Sequence, residues 1–288
     1  MVCTAFWLNM MFFVVASWCL TVALTGNFYT GGRGGGIRLL ASTNSRAKRV
    51  VSLLVGVGLL IWLVIDILRK VQQGSNLRSS RSFMRRELGA FPRSFYNRDP
   101  RLVGPDLLGK ILVRRQGRKL LTGRIVEVEA YLGADDPAAH ASIGKTPRNS
   151  VLFGPPGYAY VYFIYGNHYC LNVSCLQEGT PGGILFRALE PMEGIKEMFR
   201  LRGIAEGMDL RRLTSGPGRL AASFGITRER DNAKDLTDTK SDLYIADDGS
   251  PPPRALITKR IGITKAAEMP LRYIVAGNRF VSGRMKSF

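Results

Sequence analysis

Hydrophobic and polar positions divide this chain into two dissimilar parts. Up to residue 83 the apolar residues gather into two continuous runs, Phe6 to Leu24 and Val50 to Leu68. Each has about 19 residues, the length at which a helix crosses a bilayer. Between them Thr30 to Ile37, containing GGRGGG, has no core-forming pattern. From Pro92 onward the apolar residues recur at short period instead. Asp106 to Lys110 opens a short element. Lys110 to Arg114 (KILVR) and Arg124 to Glu129 (RIVEVE) alternate as half-buried strands do, and Gln116, Gly117 and Arg118 between them have turn composition, so a hairpin is expected. Tyr158 to Tyr165 (YAYVYFIY) and His168 to Cys175 (HYCLNVSC) predict a second hairpin, hinged at Gly166 and Asn167. Gly183 to Leu189 reads as a further strand, and Glu193 to Arg202 and Gly216 to Phe224 read as helices. Asp231 to Pro253 is polar, Gly- and Pro-bearing loop. The pattern predicts an α+β fold: a single mixed domain over residues 84–288, with a mostly antiparallel curved sheet and flanking helices.

Residues 1–83 form a hydrophobic N-terminal segment with two candidate transmembrane helices. Two spans would return the chain to the side on which it began. If that side is cytoplasmic, the connecting loop with Arg33, Arg38, Arg46, Lys48 and Arg49 faces outward, against the positive-inside tendency. A cleaved signal peptide fits no better, because no basic residue precedes the first apolar run. Two accounts stay open: a membrane anchor, or a reading frame extended upstream of a natural start at Met84.

Composition narrows the class. With 288 residues, 45% hydrophobic and 22% charged, the chain can bury a good-sized core and is not disordered. Its formal net charge of +19 favours a polyanionic partner. About nine Lys or Arg and the single acid Asp66 precede Met84, so about +11 belongs to the remainder, which is basic in its own right. Four cysteines (Cys3, Cys19, Cys170, Cys175) make no disulfide framework, and two histidines (His140, His168) make no recognised zinc spacing. Neither metal nor cofactor is expected.

Candidate chemistry begins at Ile125 to Gly133 (IVEVEAYLG). Period-two alternation puts Ile125, Glu127 and Glu129 on one face and Val126 and Val128 on the other, toward the core. Taken alone, the segment also fits a solvent-facing strand with ordinary charges. Tyr131 follows closely, and His140 comes in the loop ADDPAAHAS. Lys145, Thr146, Pro147, Arg148 and Asn149 form a basic turn suited to phosphate contacts or to plain solvation. Tyr158, Tyr160, Tyr162, Phe163, Tyr165 and Tyr169 are too many rings for alternation to bury. Tyr165, just before Gly166, is placed at the hairpin tip, where a ring can act as a wedge.

The series EAYLG (Glu129 to Gly133), AAH (Ala138 to His140), TPRN (Thr146 to Asn149), YVYFIYGNHYCLNVS (Tyr160 to Ser174), FRALEP (Phe186 to Pro191) and LTSGPGRL (Leu213 to Leu220) resembles the alkyladenine, or 3-methylpurine, DNA glycosylase family. The likeness runs in order from about Ser94 to Val281. The resemblance implies a protruding β-hairpin that enters the DNA minor groove, and hydrolysis of the N-glycosidic bond of alkylated or deaminated purines such as 3-methyladenine, 7-methylguanine and hypoxanthine. It implies Glu129 as the water-activating carboxylate with Arg187 near the bound water. Tyr131, His140 and Tyr162 would pack around the flipped base, Asn172 would crowd the exocyclic amino group of guanine, and Tyr165 would fill the gap. Lys145, Arg148 and Asn149 are candidates for the DNA backbone. The segment Ile143 to Lys145 is shorter and differently composed than in the family. No lysine stands where a Schiff base would be expected, which predicts an abasic product without strand cleavage. The partner implied is double-stranded DNA with a damaged purine, met by a monomer in the cytoplasm at the nucleoid, with membrane contact only if residues 1–83 are genuine. Competing readings are a membrane-tethered nucleic-acid-binding protein without catalysis and an RNA-directed module of similar fold.

Overall fold

A computed structural model of the chain describes residue 58, residues 61–67 and residues 89–283. Two units divide the chain, Met1–Arg86 and Glu87–Phe288. In the first, residues 61–67 are helical; the rest of the two expected spans lies outside the described residues. Among the described residues no helix is long and apolar enough to cross a membrane.

The second unit opens with a short helix, α1 (Arg93–Tyr96), and then α2 (Pro100–Leu107). The Asp99 carboxylate accepts the backbone N–H of Arg101, and Pro100 occupies the first turn, where its missing N–H costs nothing. The helix buries Val103 and Leu107. Asp106 therefore stands at the end of an element rather than at its start; Asp99 and Pro100 give the start signal that Pro105 obscures.

Strands β1 (Ile111–Gln116) and β2 (Lys119–Tyr131) form the first expected hairpin, turning at Gly117, whose φ of 59° lies in the left-handed region that glycine adopts freely. Then come β3 (Ala159–Ile164), β4 (His168–Ser174) and β5 (Gly183–Glu193). The eight-stranded sheet runs in the order β3, β4, β5, β2, β1, β6, where β6 is Leu243–Ala246. A further pair, β7 (Ala255–Thr258) and β8 (Arg272–Val275), joins through β8 to β2. Every strand pairing is antiparallel. Thus β2 organises the sheet: one edge meets β1 and then β8, and the other meets β5. The strands β6, β7 and β8 depart from expectation, since β6 lies inside the segment whose composition predicts loop and the hydrophobic pattern predicts neither of the other two.

β1 and β2 were expected to be half-buried. Instead Ile111 to Arg114 and Ile125 to Ala130 are buried without alternation, because neighbouring elements cover both faces. The register explains a second departure. Ile125 pairs with Leu189, Glu127 with Ala188 and Val128 with Phe186, which leaves Val126 extra on β2 and Arg187 extra on β5. Such bulges re-aim side chains. Ile125 consequently joins Val128 in the main core, while Val126 packs with Ala188 and Phe280 in a separate cluster. The face expected for Ile125 and the one expected for Val126 are exchanged.

Helices α3 (Ile195–Arg202), α4 (Arg211–Thr214) and α5 (Pro217–Ser223) follow β5, and α6 (Arg228–Asp231) precedes β6. Met198, Phe199, Leu213, Leu220 and Ala221 bury against Val161, Leu171, Val173, Phe186 and Leu189 in one core. The helix expected from Glu193 begins two residues later, after Gly194 at φ 75°.

Candidate active site

Two carboxylates project from β2 on the side opposite the main core, as expected, but not into solvent. Glu127 and Glu129 are both fully buried. Burial of two charges is sustained only by pairing, and the bulged Arg187 supplies it to both. Its Nε donates to Glu127 Oε1 at 3.0 Å and its Nη1 to Glu129 Oε2 at 3.1 Å. Burial alone would depress the Arg187 pKa, but the charges of Glu129 and Glu127 outweigh it and hold the value above the ordinary one. Glu127 also accepts from Arg272 Nε at 2.7 Å, Ser282 Oγ at 2.9 Å and Ser282 N at 2.5 Å. The remaining bonds of Glu129 come from Tyr131 Oη, 3.0 Å from Oε2, and from the backbone N–H of Ile261, 2.9 Å from Oε1. Burial, then the charge of Glu129, raises the Tyr131 pKa far above the usual range, so its hydroxyl stays a donor.

Beside this cluster opens a cavity of about 380 Å³ lined by Tyr131, His140, Tyr162, Asn172 and Arg187, with Tyr165 at its margin. That volume is in the range of small-molecule sites. His140 Nδ1 lies 2.8 Å from Tyr160 Oη, and its ring meets Tyr162 edge-on at 4.4 Å. Burial, with a smaller contribution from Arg148, lowers the His140 pKa, so the imidazole is neutral near pH 7. Burial pushes Tyr160 up to about 12 and Tyr162 well beyond it. Asn172, almost completely buried on β4, donates from Nδ2 to Tyr160 O at 3.1 Å. Cys170 lines the same cavity as a free thiol, while Cys175 lies in the core.

The β3–β4 turn places Tyr165 as expected. Tyr165 (φ 55°) and Gly166 (φ 71°) both take the left-handed conformation, and the Asn167 N–H donates to Ile164 O at 3.4 Å. Tyr165 is 79% exposed. Lys145 and Arg148 are exposed too, and Arg148 Nη2 donates to Phe163 O at 3.1 Å. Asn149, the third candidate for the DNA backbone, differs from these two in its surroundings. Its side chain is buried, donating to His140 O and Gly144 O at 2.9 Å each and accepting from Thr146 N at 2.7 Å. It braces the loop that carries His140 instead of facing outward.

The sequence pattern did not single out Ile261, Arg272 and Ser282, which reach the carboxylate cluster from the C-terminal part of the chain, or Arg260 and Asp136, which pair with each other beside Tyr131. Nothing periodic marks them. Asp136 did lie in the loop already noted before His140. The LTSGPGRL block finds its place here: the Gly216 N–H donates to Arg187 O at 2.9 Å, and Ser215 bridges Ala188. The glycine that closes EAYLG has a plain cause, because a Cβ at Gly133 (φ 92°) would sit 1.9 Å from Pro181 O.

Comparison with known proteins identifies the family of the chain. Residues 94–279 match the family model described as methylpurine-DNA glycosylase. A protein of Koribacter versatilis, named provisionally as a 3-methyladenine DNA glycosylase, is 64% identical over 198 residues, covering 69% of this chain and 95% of the relative. Similarly named proteins of Burkholderia lata and Methanoculleus marisnigri are 49% and 47% identical, covering 67% of this chain and 90% and 98% of their own.

Proposed function

The chain belongs to the methylpurine-DNA glycosylase family and is a monofunctional, hydrolytic DNA glycosylase, and from that premise we propose that it flips an alkylated or deaminated purine into the aromatic cavity and cleaves its N-glycosidic bond with a water activated by Glu129. The observation that carries this reading is a buried, charge-paired carboxylate next to an aromatic cavity, with an exposed ring on the adjoining turn.

A base inside a duplex is stacked and paired, so reaching the bond between C1′ and the base nitrogen requires extrusion, at a cost of a few kcal/mol that falls for a damaged base. Tyr165 fills the gap that extrusion leaves. Tyr131, His140 and Tyr162 form the walls against which the base stacks, and the neutral imidazole of His140 adds no charge opposing a cationic purine. Asn172 narrows the cavity where the amino group of guanine would enter, so normal guanine is rejected by crowding. Lys145 and Arg148 contact phosphates.

Each carboxylate oxygen offers two lone-pair directions. Oε1 of Glu129 spends one on the Ile261 N–H and keeps another for water. Arg187 Nη1 lies between Glu129 and the Ile261 carbonyl, 3.5 Å away, which supplies a second fixed partner for that water. As the glycosidic bond breaks, its electron pair leaves with the base and positive charge develops on the sugar. The carboxylate stabilises that charge, the water oxygen bonds to C1′, and its proton passes to Glu129. Alkylation at N3 or N7 makes the purine a cation that departs neutral, whereas hypoxanthine departs as an anion that takes up a proton from solvent. The test is incubation with duplexes carrying 7-methylguanine or hypoxanthine. Free base and a strand broken only after alkali are expected; no free base, or a nick formed without alkali, would contradict the proposal.

A further inference from the structure

Behind the aromatic wall of the cavity lies a charge that the chemistry of Glu129 leaves unused. The side chains of Arg260 and Asp136 are wholly buried, and they pair through two bonds, Nη1 to Oδ2 at 2.5 Å and Nη2 to Oδ1 at 2.9 Å. Arg260 Nη1 also donates to Ala130 O at 3.0 Å, and Asp136 accepts the N–H groups of Leu132 and Ala138. The guanidinium carbon stands 4.7 Å from the centre of the Tyr131 ring. Tyr131 lines the cavity and Arg260 does not, so the cation covers the ring from the side turned away from the cavity.

A buried ion pair is a poor device for filling space, since well-packed apolar residues often serve stability equally well or better. Its electrostatic effect on the ring is another matter. The face of an aromatic ring is negative and attracts a cation. A guanidinium on one face uses that attraction and repels a second positive charge on the other, the more strongly for being out of water. A neutral purine on the cavity side feels no such repulsion. Asp136, bound to the same guanidinium, offsets part of the positive charge.

We propose that the buried Arg260–Asp136 pair behind Tyr131 sets the balance between positively charged and neutral purines. This specificity role rests on reading the cavity as the base pocket. Arg260 lowers the preference for cationic bases and keeps neutral ones competitive, and Asp136 tempers that effect.

The experiment compares single-turnover release of 7-methylguanine, a cation, with that of hypoxanthine, a neutral base, and takes the ratio of the two rates. Effects on Glu129 or on folding are common to both substrates and cancel in the ratio. Because either single substitution strands a buried charge, the double variant Arg260→Met/Asp136→Asn is the main reagent. Its ratio should rise by roughly threefold to thirtyfold, the span of a cation–π contact from exposed to desolvated. Asp136→Asn alone should lower the ratio, and Arg260→Lys, which keeps a cation, should hold it closer to the wild type than the double variant does. A double-variant ratio at or below the wild-type value would overturn the inference, because loosened packing alone gives no reason for opposite shifts. Release of neither base by the wild type would instead overturn the proposed function, and this inference with it.

Discussion

A tyrosine at φ 55° with 79% of its surface exposed is in an uncommon backbone conformation for a bulky residue, and nothing in the core is gained by it. Its position follows from the Gly166–Asn167 turn, so Tyr165 was legible in the sequence, as was Glu129 two residues before Tyr131. If the ring fills the space vacated by a flipped base, Tyr165→Ala should slow excision from duplex DNA by about five- to a hundredfold, the scale of one lost base–aromatic stack. Release from single-stranded DNA, where no gap must be held, should change little. Equal loss on both substrates would remove the wedge role. Arg260 and Ile261 were not legible at this scale. They act on Tyr131 and Glu129 from about 130 positions along the chain, and no local pattern announces which distant arginine will lie behind a ring.

Among the elements, the two hairpins were readable because their turn residues and alternation agree. The two register shifts between β2 and β5 at Val126 and Arg187 were not, since both residues look like ordinary members of their strands. Nor were β6, β7 and β8, each four residues long in a region punctuated by Pro, Gly and Asp. What anchors β1 in their neighbourhood is ionic. Arg114 is fully buried and donates to Asp231 at 2.6 Å, to Phe224 O at 3.1 Å and to Asp242 at 3.2 Å. Arg114→Met would leave the equally buried Asp231 with, among the described residues, only Lys234 as a charged partner, and should cost about 3–5 kcal/mol in urea denaturation. A loss below about 1 kcal/mol would show that the pair contributes little.

Asp242 adds a pH signature. Burial would raise its pKa, but hydrogen bonds from Lys234 and Arg230 and the charge of Arg114 prevail and hold it at about 2. A carboxylate depressed in the folded state contributes stability that is complete above its unfolded value and is lost as pH falls through the folded one. The urea midpoint should therefore drop between pH 4 and about pH 2, and drop less in Asp242→Asn. Parallel curves for the two proteins would contradict this.

For the whole molecule the governing quantity is charge. The formal excess of +19 includes about +11 beyond residue 83, enough for DNA affinity to depend chiefly on phosphate contacts and to fall steeply with salt. Lys145 and Arg148, exposed on the loop from which Arg148 bonds the Tyr165 hairpin, should together account for about two units of the slope of log K against log salt. Lys145→Ala/Arg148→Ala should flatten the slope by that amount and weaken binding to damaged and undamaged duplexes alike. An unchanged slope would place the phosphate contacts elsewhere.

The central claim is that the Glu129 carboxylate, held by Tyr131, Arg187 and the Ile261 N–H, activates the attacking water. Single-turnover release of hypoxanthine from duplex DNA by the wild type and by Glu129→Gln tests it most directly. The account predicts release by the wild type and a loss of at least about a hundredfold in the variant, with duplex binding retained. A Glu129→Gln protein that releases the base at the wild-type rate would contradict it.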